Sequence, residues 1–588
     1  MYLGIDLGTN NTVVAYTYAD SDDKLITKVI QMGQIFNDSW EKFPMLPSAV
    51  FFGNMGIVVG KEAKKYKTVY KNRVIFNPKQ FAGTVKKWNI GGRDYEPKDI
   101  LGMILKHCKI NIDKEEDVDY ELVVLTVPAS FGPEQISDIL AAAKLAGFDE
   151  VNIAIKHEPV AALLAYLYDN SENIIEDDIL DFSTEKRIMV FDLGGGTCDT
   201  SIIDVIIRDD EINFKEIGIG IYQELGGMDF DDRFAVGLLN DFMEKKVNRE
   251  LSKDEIMELF LKLRSAAEVI KEKISAKIEA ATLADENIDP EKLEIRHVIT
   301  SFFEGETYRI RMTKAKYDEY TRDFYNDENV NYKKCEEMEQ HKNIIGVIRK
   351  TLDDYAIDKN SIDYVFATGG MSQLKTVQDK LKEYLGCEII VPKDPMEIVA
   401  RGASLYPFFN TMERKEVGHV IEDGFKNLDI ENEFEEEIDL KKEIKTKKNR
   451  KKKRKMEDNM MMAEAIMLDM QQGLPKVIIP RKTEVPFESE ILNEYKTTSP
   501  SGIKLNIYTG QDQYDSSMRI QKSFEKKFKY PVSSGTPFDI KYKINSNKAI
   551  EITIVIHDEK EQVLEMYIDS DLKIERSVSN PPLQKRKL

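Results

Sequence analysis

Gly4-Ile5-Asp6-Leu7-Gly8-Thr9 and Phe191-Asp192-Leu193-Gly194-Gly195-Gly196-Thr197 are near-copies of one string, set about 185 residues apart. In each, an apolar run ends in an aspartate, glycine and a threonine. A strand ending this way delivers a carboxylate, a hydroxyl and uncrowded backbone N–H groups to one point, where they can wrap a phosphate and hold Mg2+ through water. Glycine is needed because the backbone must come close to the anion. A third string, Ala367-Thr368-Gly369-Gly370, offers another such turn. One glycine-rich turn alone is an ordinary strand connection. Two copies, each followed by a second apolar strand (Val13-Val14-Ala15 and Ser201-Ile202-Ile203), instead indicate a duplicated α/β unit with a phosphate loop in each half. Together the three strings read as one split nucleotide site.

Positioning these turns takes a sheet with helices over it, and the chain to about Pro407 has that rhythm. Leu122–Val127 reads as a strand and the stretch around Glu134–Ala146 as a helix, with Ile136, Ile139, Leu140, Ala143 and Leu145 on its inward side. Residues 171–186 read as a surface loop, and 243–300 turn helical and charged. At 588 residues, 42% hydrophobic and 32% charged, the chain can bury several cores and predicts more than one domain. A net charge of −20 argues against general nucleic-acid binding by the folded body. Cys108, Cys198, Cys335 and Cys387 fall in no metal or redox spacing, which points to a reducing cytosol. No apolar run approaches the roughly 20 residues of a membrane span, and the first strand begins at Met1 without room for a signal peptide, so the expected location is cytoplasmic.

The composition changes near Glu413. An acidic run over 422–439 gives way to Lys447-Lys448-Asn449-Arg450-Lys451-Lys452-Lys453-Arg454-Lys455. Such blocks bury too little apolar surface to offset chain entropy, so 411–458 is expected to be a solvated, disordered linker. The basic run reads as a tether folding back on the acidic run rather than as a ribosome, nucleic-acid or membrane contact. From about Leu474 the period is 2: Ile550, Ile552, Ile554 and Ile556 alternate with Glu551, Thr553 and Val555, and Asn545-Ser546-Asn547 supplies a turn. A small antiparallel β domain is expected over 459–570, then a polar basic tail over 571–588.

The first 405 residues resemble the actin-like ATPases and, within them, the DnaK-type chaperones of the heat shock protein 70 family. The likeness includes Val127-Pro128-Ala129-Ser130-Phe131, Glu158-Pro159-Val160-Ala161-Ala162, Leu225-Gly226-Gly227-Met228-Asp229-Phe230-Asp231, Phe303-Glu304-Gly305 and Glu397-Ile398-Val399-Ala400-Arg401-Gly402-Ala403. Ile478–Pro486, Ile507–Gln511 and Phe538-Asp539-Ile540 look like the β half of that family's substrate-binding domain. The resemblance implies a duplicated actin-like (ribonuclease H-like) ATPase domain of two lobes over 1–410, followed by a small antiparallel β-sandwich. It implies ATP/ADP and Mg2+ as cofactors. Asp6 and Asp192 then face the metal through its water shell, while Gly8, Thr9, Asn10, Gly194, Gly195, Gly196 and Thr197 line the β- and γ-phosphates. Asp199 helps hold a potassium ion or the water network. Lys79, in Phe76-Asn77-Pro78-Lys79-Gln80, takes the place of the lysine that positions the attacking water, and Glu158 matches a glutamate near the metal and the interlobe switch. Gly226, Gly227, Gly369 and Gly370 fit the nucleotide turns, and Glu268, Lys271 and Ser275 share one helix face from which they reach ribose and base.

This chain also departs from the pattern. Glu272 and Gln373 stand where the family sandwiches adenine between two arginines, which predicts weaker or less selective adenine binding. No leucine-rich interdomain segment is recognisable. Met460–Leu468 is the nearest candidate, either a docking or peptide-contact segment or a piece packed on the β domain. After Ile568 only the polar tail remains, so the family's helical lid is expected to be missing and peptide contact to be transient. The function implied is a slow ATPase whose lobe motion acts on a β domain contacting client polypeptide, with a J-domain co-chaperone and a nucleotide-exchange factor as partners. An actin-like filament or scaffold protein and a small-molecule kinase of the same fold are the alternatives.

Overall fold

The computed structural model describes residues 1–568, apart from 171–181, 326–342, 410–454 and shorter stretches of up to six residues. The acidic run, nearly all of the basic run, most of the 171–186 loop, Cys335 and the 571–588 tail therefore lie outside the described residues. In the first lobe Ile153–His157, Leu122–Val127, Tyr2–Leu7, Asn11–Ala19 and Leu25–Val29 form one sheet in that order. The first three strands are mutually parallel and the last two antiparallel. In the second lobe Glu388–Ile390, Tyr364–Thr368, Lys186–Leu193, Cys198–Arg208 and Glu211–Ile219 repeat the same order and the same senses. The duplication read from the two aspartate strings is thus a duplication of whole sheets, and each phosphate-type turn joins the matching pair of antiparallel strands.

Strand burial explains the apolar runs. Leu3, Ile5 and Leu7 belong to the first lobe's core with Ile136 and Ile139, whereas Met189, Phe191 and Leu193 pack with Phe230, Phe234 and Leu263 in the second. The helix Pro133–Ala146 covers the first sheet, but Leu145, expected to face inward, is 55% exposed. Its position lies at the edge of the apolar stripe, where Ala142, Ala143 and Ala146 take the buried places. The helices Glu158–Asp169 and Ile398–Phe409 cross so closely that a Cβ on Gly402 would stand 1.7 Å from the Ala161 carbonyl oxygen. That contact ties the last helix of the region to the helix that Glu158 opens.

The C-terminal strands form two antiparallel sheets. Lys476–Ile479, Ala465–Asp469, Gly502–Gly510 and Arg519–Lys527 make one, and Phe487–Glu488, Leu492–Lys496, Pro537–Ile544, Ile550–Ile556 and Gln562–Ile568 make the other. Ile466, Leu468, Leu505 and Ile507 of the first share a core with Phe538, Ile540, Ile552 and Ile554 of the second. The alternation over 550–556 is the buried face of a strand, each isoleucine contributing about 2 kcal/mol by burial.

One expectation is corrected here. Residues 455–458, assigned to the charged linker on composition, begin the strand Lys455–Met461, which pairs in parallel with Glu211–Lys215 at the open edge of the second lobe's sheet. An unpaired sheet edge offers a row of backbone donors and acceptors, and this pairing satisfies them regardless of side-chain charge. Met460 and Met461 then pair with Glu484–Val485, so the sheet runs on into the C-terminal region. The methionines divide between two cores, with Met461 against Ala129, Ile219 and Tyr355 while Met460 and Met462 join the C-terminal core. Among the described residues no helix is long and apolar enough to cross a membrane.

Candidate functional site between the lobes

The candidate site lies at the carboxyl ends of the paired strands, where open α/β sheets leave a crevice for ligands. Gly8-Thr9-Asn10 and Gly194-Gly195-Gly196 face each other across it. A Cβ on Gly195 would fall 1.5 Å from Asn10 Nδ2, and one on Gly196 would lie 3.5 Å from Thr9 Cγ2. The first loop is fastened by Ser48, whose Oγ donates to the Gly8 carbonyl at 2.8 Å and whose N–H donates to Asn10 at 2.8 Å. Asn77 N–H in turn donates to Ser48, which sets the short turn Pro78–Phe81 carrying Lys79 beside that loop. The second loop is closed by Gly194 N–H on Thr197 and held to the start of the helix Gly227–Lys246, where Gly227 and Met228 N–H donate to Gly194 and Gly195 at 3.0 and 2.8 Å. Gly369 completes the third corner, since a Cβ there would meet Asp192 Oδ1 at 2.4 Å.

Four carboxylates and one ammonium meet at the floor. Lys79, 2% exposed, stands 2.6 Å from Glu158 Oε1. Glu158 opens the helix Glu158–Asp169, so its placement at a helix N-terminus and its placement beside Lys79 hold together. Burial, and then Glu158, push Asp6 up to about 8 and Asp192 up to about 7, while Lys79 opposes both shifts. Asp199 is raised well above the usual carboxylate range by burial and by Glu158 and Asp192. Such a cluster calls for further positive charge, which fits a divalent cation with a polyphosphate. Asn10 Oδ1, buried without a hydrogen-bond partner, also fits an absent polar ligand. Among the described residues no group of three or more His, Cys, Asp or Glu side chains is arranged to hold a metal ion directly.

Hydroxyl groups overlooked in the sequence support these acids. Thr126 Oγ1 lies 3.4 Å from Asp6 Oδ1, Ser130 Oγ donates to Asp199 at 3.3 Å, and Thr368 hydrogen-bonds Asp192. Thr126 and Thr368 stand in the last two residues of their strands, Leu122–Val127 and Tyr364–Thr368, beside the carboxylate-bearing strands, and this strand-end pattern was their available signal.

The outer wall is less complete. Lys271 donates to Asp231 at 2.8 Å and to the Gly227 carbonyl at 3.3 Å, close to Met371 of the turn Gly370–Gln373. Ser275 is half-buried on the same helix, Lys253–Leu283. Glu268, on the same helix, pairs with Lys64 of the opposite lobe at 3.1 Å across the mouth of the cleft. Glu272 and Gln373 are both exposed.

Two lobes of the same sheet, each with a phosphate-type turn aimed at one cleft, define the actin-like class of nucleotide-binding folds. Residues 83–453 match the family model described as "Hsp70 protein". The chain is 30% identical over 413 residues to "Chaperone protein DnaK" of Thermosipho melanesiensis and of Thermosipho africanus. It is 29% identical over 405 residues to the protein of that name from Thermotoga petrophila. Each match covers 68% of this chain and 58% of the relative. The chain belongs to the Hsp70 family, whose members are ATPases that bind ATP or ADP with Mg2+.

Proposed function

We propose that this chain binds Mg·ATP between its lobes, hydrolyses it slowly, and uses the resulting lobe motion to act on a polypeptide held by its C-terminal β-sandwich. The ATPase domain comprises 1–410 and the substrate-binding-like domain 459–570, the strand Lys455–Met461 joining them after the charged segment. In this reading Gly8, Thr9, Asn10, Gly194, Gly195, Gly196 and Thr197 hold the phosphates. Asp6 and Asp192 orient the water around Mg2+, which supplies charge neutralisation at the phosphates when bound. Lys79 and Glu158 position the attacking water, and Asp199 orders water or a potassium ion. Gly226, Gly227, Glu268, Lys271, Ser275, Gly369, Gly370 and Gln373 face the nucleoside. Client polypeptide, a J-domain protein and a nucleotide-exchange factor are the partners, in a reducing cytoplasm suited to the free thiols of Cys108, Cys198 and Cys387.

The observation that supports this most strongly is the convergence of Asp6, Asp192, Lys79 and the Gly369 turn on one cleft. Calorimetric titration with Mg·ATP, followed by a hydrolysis assay containing no acceptor, tests it. Nucleotide binding with phosphate release is expected; failure to bind any nucleotide would sink the reading.

Two further results follow from the site. Asp6 and Asp192 carry folded-state values raised above the unfolded carboxylate range, so their ionisation opposes the ligand-free fold as pH rises toward 8. Cation binding favours the ionised forms. Binding of Mg·ATP near pH 7 should therefore release protons, measured as a binding enthalpy that varies with buffer ionisation enthalpy; a buffer-independent enthalpy would contradict it. With Glu272 and Gln373 in place of stacking guanidinium groups, preference for ATP over GTP should be less than about tenfold. Competition binding that finds a much larger preference would refute that.

A further inference from the structure

Among the described residues, Asn10 and Asn77 are the asparagines whose buried side-chain oxygens have no hydrogen-bond partner, and both stand in the cleft between the lobes. Asn10 belongs to the first phosphate-type turn. Asn77 does not: it precedes Pro78 and Lys79, is 1% exposed, and holds a left-handed backbone with φ +56°. Asparagine is one of the few side chains that takes this conformation readily. Its N–H is fixed on the Ser48 carbonyl at 3.1 Å, and Ser48 in turn fastens the Gly8–Asn10 loop. From there the side chain crosses to the second lobe. Its Nδ2 lies 3.5 Å from Met228 Sδ, and a Cβ on Gly196 would stand 3.6 Å from the same nitrogen. The carboxamide is thus anchored on one lobe, lies against the phosphate turn of the other, and keeps its oxygen unpaired close in the chain to Lys79.

We propose that Asn77 positions the attacking water: its Oδ1 accepts one hydrogen of the water that attacks the γ-phosphate, while Glu158 accepts the other. This rests on the reading that Mg·ATP is hydrolysed between the lobes. A carbonyl oxygen repels phosphate oxygens and has no proton to give, so what it fits is a hydrogen-bond donor. In-line attack needs a water whose lone pair points at phosphorus, and that orientation is fixed when both its hydrogens have acceptors. Lys79 is itself a donor, and Glu158, 2.6 Å from it, supplies one acceptor. Asp6, Asp192 and Asp199 are turned to the cation and its water in the same reading. Asn77 Oδ1 supplies the second acceptor without adding negative charge beside the phosphate. As the oxygen–phosphorus bond forms, the bond from the γ-phosphorus to the bridging oxygen breaks and ADP leaves with that electron pair. The water's proton departs with the released phosphate, and Asn77 neither takes nor gives one. A neutral acceptor orients the water but does not draw off its proton, which fits the slow hydrolysis proposed above.

Asn77→Gly removes the carboxamide and leaves the left-handed turn unstrained, which alanine would not. In the full chain this variant should slow single-turnover hydrolysis of Mg·ATP about 10- to 100-fold, with affinities for Mg·ATP and Mg·ADP within about threefold of the unaltered chain. ADP with aluminium fluoride, which mimics the planar phosphoryl group and its in-line water, should bind about tenfold or more weakly by calorimetry. Asn77→Asp keeps both the turn and an acceptor oxygen but adds a charge, so hydrolysis at saturation should stay within about fivefold while Mg·ATP affinity falls. Full hydrolysis in Asn77→Gly, an equally slow Asn77→Asp, or a loss that falls alike on ADP and on ADP with aluminium fluoride would overturn the assignment and leave nucleotide hydrolysis in place. An unaltered chain that binds no nucleotide would overturn both.

Discussion

Lys79→Ala is expected to lower single-turnover ATP hydrolysis by ~100-fold or more, the loss typical of removing one preorganised donor at a transition state, while Mg·ATP still binds. A lysine in a short turn would ordinarily reach into solvent. Here Lys79 is buried against Glu158 and is the cation that acts on Asp6, Asp192 and Asp199 alike. In the proposed reading it sits where charge would build up on a transferring phosphoryl group. Its loss also strips Glu158 of a partner; that pair is partly screened, with Glu158 13% exposed, so the stability cost should stay below the about 3–5 kcal/mol of a fully buried pair. Rapid-quench kinetics beside a binding titration separate the effects. Unchanged turnover would remove the catalytic assignment, and lost binding would make Lys79 a phosphate holder instead.

What the sequence carried was local: apolar runs, their glycine-rich ends, and alternation in Ile550–Ile556. These became two matching sheets with turns in matching places, because a strand and the turn after it are specified by neighbouring residues. What it hid was nonlocal. Nothing around Lys548 points to the carbonyls of Ala129 and Phe131, more than four hundred residues earlier, to which its ammonium donates. Glu268 has the helical spacing of a nucleotide contact, yet its partner Lys64 comes from the other lobe. Residues 455–458 read as linker because charge dominated the window, while the deciding factor was the open edge of Glu211–Ile219.

Gly226→Ala should cost nucleotide affinity ~100-fold or more while the chain remains folded, since a displaced phosphate loop loses backbone donors to the anion worth about 1.5–3 kcal/mol each. Gly226 is extended, a conformation any residue adopts, so the effect is one of space alone. Its added Cβ would lie 2.4 Å from Gly196 N and 2.6 Å from the Gly195 carbonyl carbon, and backbone atoms cannot swing aside as a side-chain end can. Either the loop retreats or the helix start does. In both cases the bonds from Gly227 to Gly194 and from Met228 to Gly195 break, and the loop loses its place opposite Asn10. The core beneath, with Phe230 and Phe234, is untouched, so thermal unfolding should fall by only about 1–3 kcal/mol. Gly370→Ala is the contrasting variant. There the nearest atom to the new Cβ is Met396 Sδ at 3.6 Å, an ordinary contact, so the loops keep their shape and any lost affinity reports the nucleotide itself. Full affinity in Gly226→Ala, with the same melting behaviour, would show that this turn does not hold the 194–196 loop in its nucleotide-binding shape.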